Sequence, residues 1–224
     1  EERFRREMEC EFIINDETLI NPLKLTEMEG IDPIERQGQV RWYSKPKSGS
    51  VYCVALDPSL GTGGDASAIQ VFEAETTEQV AEWRHNRTTI PEQIRILAGI
   101  CAHINETVND TQRIYYSIEN NTIGEAALIS ISEYGEENIK GYFLSDSTVT
   151  SSGGRRYRKG FNTTNKSKLS ACNKLKVMIE SGKMKINSIP LVSELKTFVA
   201  HGTSYAAKIG ETDDLVMATI LAVR

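Results

Sequence analysis

The sequence predicts an α/β domain whose strands end in acids. Three observations predict it. Apolar runs of strand length at 51–57, 66–74 and 80–88 follow one another across short loops. A helix-period segment at 90–108 comes directly after them. A further strand-then-helix pair follows at 113–119 and 122–134, the alternation that builds α/β layers.

In chain order, residues 1–20 read as a short helix, with Phe4, Met8 and Phe12 at a spacing of four. Residues 21–50 carry Pro22, Gly30, Pro33, Gly38, Pro46 and Gly49 and read as a linker or irregular wrap. The compact domain is therefore expected over 49–224, with an extension over 1–48. VYCVALDPS is an apolar strand ending in Asp57, and its two successors complete an antiparallel meander. Pro91 suits the first turn of the helix over 90–108, which puts Ile94, Leu97, Ile100, Cys101 and Ile104 on one face. RIYYSIE is a strand ending in Glu119, and Asn121 or Thr122 caps the helix after it. A strand is expected over 139–145 and a polar loop or exposed hairpin over 145–167. A helix over 168–182 stops at Gly182, and a short strand covers 183–187. Then come a helix over 188–202, with His201 capping its end, a strand over 203–208 and a helix over 212–224 that opens on two acids.

Composition excludes several classes. The chain has 224 residues, 39% hydrophobic and 25% charged, which excludes wholesale disorder. No apolar run approaches the roughly 18 residues that span a bilayer. The charged start EERFRREMECEF is not a secretory signal. It carries no initiator Met, so an excised piece lacking a partner domain is expected. Cys10, Cys53, Cys101 and Cys172 are never closer than 43 positions, which excludes a zinc knuckle and suits a reducing compartment. Three histidines, His85, His103 and His201, supply a Ser-His-Asp triad poorly.

The net charge of −5 hides an asymmetry. Residues 151–224 hold 13 Lys/Arg against 5 Asp/Glu, while residues 1–150 hold 13 against 26. Within 155–185 there are ten basic residues and one acid, Glu180. A basic patch on an acidic chain is the footprint of a polyanion site.

Asp57 and Glu119 each end a strand, and Asp213 and Asp214 open the last helix. If the two strands are neighbours, their acids share one sheet edge, where ligand sites form. Clustered carboxylates repel and push one another's pKa up unless something neutralises them. A divalent cation does so, and oxygen-only ligands favour Mg²⁺ or Mn²⁺ over zinc. Two such ions activate water and stabilise the leaving oxygen of a phosphodiester. Singly, each acid also reads as an ordinary turn or helix-start acid. DPSLGTGGD lacks the GKS or GKT ending of a P-loop, so its glycines are read as a hairpin after Asp57, with Asp65 a group behind the site.

Together, DPSLGTGGDASAIQVF, YYSIENNTIGEAAL and GETDDLVMATILA resemble the nuclease domain of tailed-bacteriophage large terminase subunits. GGRRYRKGFNTTNKSKL resembles that family's loop and following helix. FRREMECEFI with TLI resembles the end of its ATPase domain and the link to the nuclease, which assigns 1–48. The resemblance implies a ribonuclease-H-like fold, a mixed central β-sheet flanked by helices. It implies metal-dependent endonucleolytic cutting of concatemeric viral DNA during packaging, with Mg²⁺ or Mn²⁺, two ions, as cofactor. Asp57 and Glu119 match the first two catalytic acids, and Asp213 or Asp214 the third, with the lean toward Asp213. Arg155, Arg156, Arg158, Lys159, Lys166 and Lys168 line the DNA track, and Asn120 is a supporting polar group. Some relatives place a His before the third acid; here Glu211 and Thr212 stand there. Implied partners are double-stranded DNA, the ATPase domain of the same protein, the portal and the small terminase subunit. The implied location is the host cytoplasm, with no membrane. Competing readings are a Holliday-junction resolvase, a transposase core, or a catalytically silent DNA-binding module.

Overall fold

The computed structural model describes residues 17–149 and 155–224, so the Phe4, Met8 and Phe12 stripe and Cys10 lie outside the described residues. Seven strands form one mixed sheet: β1 (Glu35–Gln37), β2 (Val40–Trp42), β3 (Tyr52–Asp57), β4 (Ser67–Glu73), β5 (Glu78–His85), β6 (Ile114–Ile118) and β7 (Tyr142–Phe143). Their spatial order is β1-β2-β5-β4-β3-β6-β7. Short loops make β3, β4 and β5 the expected antiparallel meander. Helix α2 (Ile90–Val108) crosses over between β5 and β6, and β6 then pairs parallel to β3 with Leu56 opposite Ile118.

Period-two alternation gives the sheet two apolar faces. In β4, Ile69 and Val71 face one core while Ala68 and Phe72 face the other. Every residue of β4 is buried, as expected of a strand covered on both sides. The first core also holds Trp42, Trp83, Val54 and Tyr116 under α2 (Ile90–Val108), packed beside α3 (Thr122–Tyr134). The second lies under α4 (Asn165–Glu180), α5 (Ile189–Thr197) and α6 (Asp214–Ala222). Among the described residues no helix is long and apolar enough to cross a membrane.

Helices α2 and α3 occupy their expected spans because their ends are written locally. Thr89 and Glu92 form a capping box at the start of α2, and Asn109 ends it in the left-handed conformation. Asn121 Oδ1 accepts the Ile123 and Gly124 amides at the start of α3.

Elsewhere the structure corrects the reading. Residues 21–50 contain a short helix, α1 (Pro22–Glu27), and the hairpin β1–β2, which joins the sheet where β2 pairs with β5. Gly38, at φ 59°, makes the turn, and strands of three residues show no period that a Pro- and Gly-rich stretch would reveal. Leu19 and Ile20 are fully buried, and the Leu19 amide donates to Phe198 O. Helix α4 begins at Asn165 because Thr164 and Ser167 cap it reciprocally. No strand covers 183–187; one bridge joins Lys185 to Glu78. The strand expected over 139–145 shrinks to β7. The expected helix over 188–202 ends at Thr197, because β10 (Phe198–His201) pairs with β11 (Ser204–Ala207) and with Thr18. His201 is thus exposed at a hairpin and caps no helix.

The basic segment is the hairpin β8 (Ser145–Val149) and β9 (Arg155–Lys159). Its root lies against the end of β6. Phe161 N donates to Ile118 O at 2.9 Å, and Asn120 N donates to Phe161 O at 2.7 Å. Arg224 holds the root from the other side, donating to Asn162 O at 3.0 Å and lying over the Phe161 ring.

Gly160 makes that root possible. Its φ is +71°, and a Cβ there would stand 2.6 Å from Ile118 O. Gly160→Ala should lower unfolding free energy by about 1–3 kcal/mol, read from the urea midpoint. An unchanged midpoint would show that the root can shift without cost.

Candidate active site

Parallel pairing of β3 and β6 sets two acids side by side. Asp57 is the last residue of β3, and Glu119 follows β6 with its amide donating to Leu56 O at 3.0 Å. Both stand at the carboxyl ends of adjacent parallel strands, where open α/β sheets place ligands. Helix α6 packs across β3 and β4 and presents Asp213 and Asp214 at its start. The result is a cleft of about 300 Å³ lined by Asp57, Asp65, Glu119, Asn121, Asp213 and Asp214, among others. Among the described residues no His lines it; Glu211 and Thr212 do.

The four expected catalytic acids therefore share one site, and each is held differently. Burial, then the charge of Glu119 and a hydrogen bond with it, push the Asp57 carboxyl well above the usual carboxylate range; Asp214 and Asp213 add to this. Asn121 Nδ2 donates to Glu119 Oε2 at 2.6 Å while its Oδ1 caps α3. Gly124 lets α3 start this close, since a Cβ there would overlap the Glu119 carbonyl.

Asp213 and Asp214 differ. Asp213 Oδ2 accepts the Ala207 amide of β11 at 3.1 Å and makes no cap bond to its own helix. Asp214 is buried, and its Oδ2 has no hydrogen-bond partner. Burial pushes the Asp214 carboxyl up to about 6; Arg84 opposes this, while Asp213 and Asp65 reinforce it. Among the described residues, no three acidic, His or Cys side chains are gathered tightly enough to hold one ion as they stand. The donor set still fits a hard divalent cation. It is oxygen-only, and Asp214, one of its members, keeps a buried carboxylate oxygen without a hydrogen-bond partner.

The other expected site residues are spread around this centre. Asp65 is exposed on the cleft wall. Asn120 is buried outside the cleft, donating Nδ2 to Lys159 O at 2.9 Å, so it roots the hairpin. Lys168 shares a small hollow with Glu119 and Arg224, its ammonium over the Phe198 ring. Lys166 is exposed on the first turn of α4. Lys159 is paired with Glu136. The side chains of Arg155, Arg156 and Arg158 lie outside the described residues, although their backbones form β9.

Sequence reasoning missed Glu194 and Arg84. Glu194 is buried in α5, ion-paired with Arg84 beside the start of α6, and burial pushes its carboxyl up. An acid set among Leu191, Val192 and Leu195 was the available signal.

Comparison with known proteins bears on this arrangement. Residues 54–224 match the family model of the terminase RNaseH-like domain. The fold is similar to the large terminase nuclease of thermophilic phage G20c with bound magnesium, at TM-score 0.68 and 17% identity over 92% of this chain and 96% of that one. It is also similar to the large terminase nuclease domain of Thermus phage P74-26, at TM-score 0.63 and 18% identity over 89% and 91%. The manganese-soaked terminase nuclease domain of human cytomegalovirus matches at TM-score 0.56 and 13% identity over 91% and 93%. The expected fold, a mixed sheet flanked by helices and ribonuclease-H-like, is the observed one.

The raised carboxyl of Asp214 carries a pH signature. An unfolded Asp titrates near 3.9, so between about pH 4 and about 6 the folded chain holds a proton that the unfolded chain has released. Stability should therefore fall as pH rises through that window. Asp214→Asn should flatten the slope and, in EDTA at pH 7, be more stable than the parent in urea denaturation; Asp57→Asn should act in the same sense. A less stable Asp214→Asn at pH 7 would contradict the raised pKa.

Proposed function

The chain belongs to the terminase RNaseH-like domain family, and from that premise we propose that it is the metal-dependent endonuclease domain of a phage large terminase. Its task is to cut concatemeric viral DNA during genome packaging by two-metal phosphodiester hydrolysis. The observation that carries this reading is the convergence of Asp57, Glu119, Asp213 and Asp214 on one cleft beside a basic hairpin and helix.

Asp57, Glu119 and Asp214 would hold the Mg²⁺ or Mn²⁺. Bound there, divalent ions lower the pKa of water and stabilise charge on the phosphodiester. Asp214 is the better third ligand, because Asp213 already spends an oxygen on the Ala207 amide while Asp214 keeps a buried oxygen unengaged. This shifts the lean from Asp213. Asn121 orients Glu119 through Oε2. The Asp57 carboxyl, pushed up in the metal-free fold, would lose its proton on taking up a cation.

Arg155, Arg156, Arg158, Lys159, Lys166 and Lys168 would line the track for double-stranded DNA. The hairpin root and the first turn of α4 both border Glu119, which supports this placement. Lys159 contributes least, because Glu136 already pairs with it. The reading brings with it the ATPase domain of the same protein, the portal and the small terminase subunit, while Leu19, Ile20 and the β1–β2 hairpin within 1–48 pack as part of the nuclease domain. It places the work in the host cytoplasm.

Supercoiled plasmid should be nicked and linearised by this chain with Mg²⁺ or Mn²⁺ and left intact in EDTA. Asp57→Ala should remove several kcal/mol of transition-state stabilisation, a loss on the order of 10³-fold in rate. Equal cutting by parent and variant would refute the carboxylate centre. Replacing Lys166 and Lys168 together by Gln should lower the slope of log affinity against log salt by about 2 in DNA binding. An unchanged slope would remove both from the track.

A further inference from the structure

We infer that Glu194 is a positioning residue that clamps the Asp213–Asp214 turn from both sides. The inference rests on the nuclease reading for its catalytic consequence, but the clamp is a matter of geometry. Helix α6 starts without help from its own cap residue, because the Asp213 carboxylate is turned to the Ala207 amide. Its first-turn amides are orphans unless another group accepts them. Glu194 Oε2 does so, accepting Leu215 N at 2.8 Å and Val216 N at 3.1 Å. Glu194 Oε1 accepts Thr212 Oγ1 at 3.1 Å and the Arg84 guanidinium. Arg84 Nη1 also donates to Thr212 Oγ1 at 3.2 Å.

One buried carboxylate thus grips the residue before the acidic pair and the residues after it. It ties that turn to β5 through Arg84 and to α5 through its own backbone. A carboxylate suits this place, because the helix start carries partial positive charge. The consequence is a division of labour. Capping is done from α5, so neither Asp213 nor Asp214 is spent on it, and both remain at the cleft. A group that fixes a ligand's position without touching the substrate is typically worth 10- to 100-fold in metal affinity or activity.

The test compares the full chain with Glu194→Gln and with Glu82→Gln. Glu82 is an equally buried acid on β5, held by Arg41, Tyr43 and Ser188, and none of these partners lines the cleft. Gln keeps the size of Glu194 but offers acceptors to only one of its two sets of donors. Both variants should lose stability. Only Glu194→Gln should weaken Mn²⁺ binding by 10- to 100-fold in calorimetry, and lower kcat for plasmid by a similar factor with KM little changed. Only Glu194→Gln should speed hydrogen exchange at the Leu215 and Val216 amides beyond the change in global stability. Parent-like Mn²⁺ affinity, kcat and exchange in Glu194→Gln would overturn the clamp. Should that variant not fold, Thr212→Val removes one donor and should lower Mn²⁺ affinity in the same direction; no change would overturn it equally. A parent that binds no Mn²⁺ refutes the nuclease reading instead, and the exchange of Leu215 and Val216 then decides the clamp alone.

Discussion

Repulsion between like charges is the constraint around which this molecule is arranged. The pairing of Leu56 with Ile118 puts Asp57 and Glu119 at one sheet edge, and the packing of α6 on β3 and β4 adds two more acids. Carboxylates brought this close cannot all be ionised and unpaired. The surroundings answer in parts. The Asp57 carboxyl is pushed up by burial and by Glu119, Asn121 fixes one Glu119 oxygen, and Asp213 takes a backbone amide of β11. Asp214 keeps one buried oxygen without a hydrogen-bond partner. The strain falls on Asp57 and Asp214, whose carboxyls are pushed up and which would be more stable as amides in the metal-free fold.

The supports of the site come from both faces of the sheet. Helix α3 starts against Glu119 because Gly124 has no side chain to collide with its carbonyl. The basic hairpin is rooted on the same residues, through Gly160 and Phe161. On the opposite face, Glu194 reaches from α5 to the start of α6. Its helix is itself tied to β5, where Gln79 Oε1 accepts the Asn187 and Ser188 amides and Glu82 accepts the Ser188 hydroxyl. The chain of contacts from the sheet to Asp214 is short and almost wholly hydrogen-bonded. Buried polar networks of this kind specify one arrangement when their members are satisfied.

Legibility followed how local each signal was. The span Ile90–Val108 was readable because its cap, its Pro and its apolar stripe lie within the segment. The acids at 57, 119 and 213–214 were readable as a set because each adjoins a strongly apolar run. The start of α4 was missed by three residues, since Thr164 and Ser167 look like loop residues until they bond reciprocally. The hairpin of β10 and β11 was half missed, because Phe198–His201 continues a helical pattern and is drawn off it only by partners at 204–207 and at Thr18. Residues 35–42 gave no periodic signal in strands of three residues.

The sequence by itself determined the class of fold, the identity of the four acids and the segregation of charge, because these depend on residue type and on spacing within single elements. Tertiary structure alone decided that the acids meet. It also decided that Asn120 serves the hairpin while Asn121 serves Glu119, and that Asp213 and Asp214 differ. Those outcomes turn on which backbone amide faces which carboxylate across more than one element. Pairing in register and packing between layers set that facing, and no local pattern along the chain encodes it.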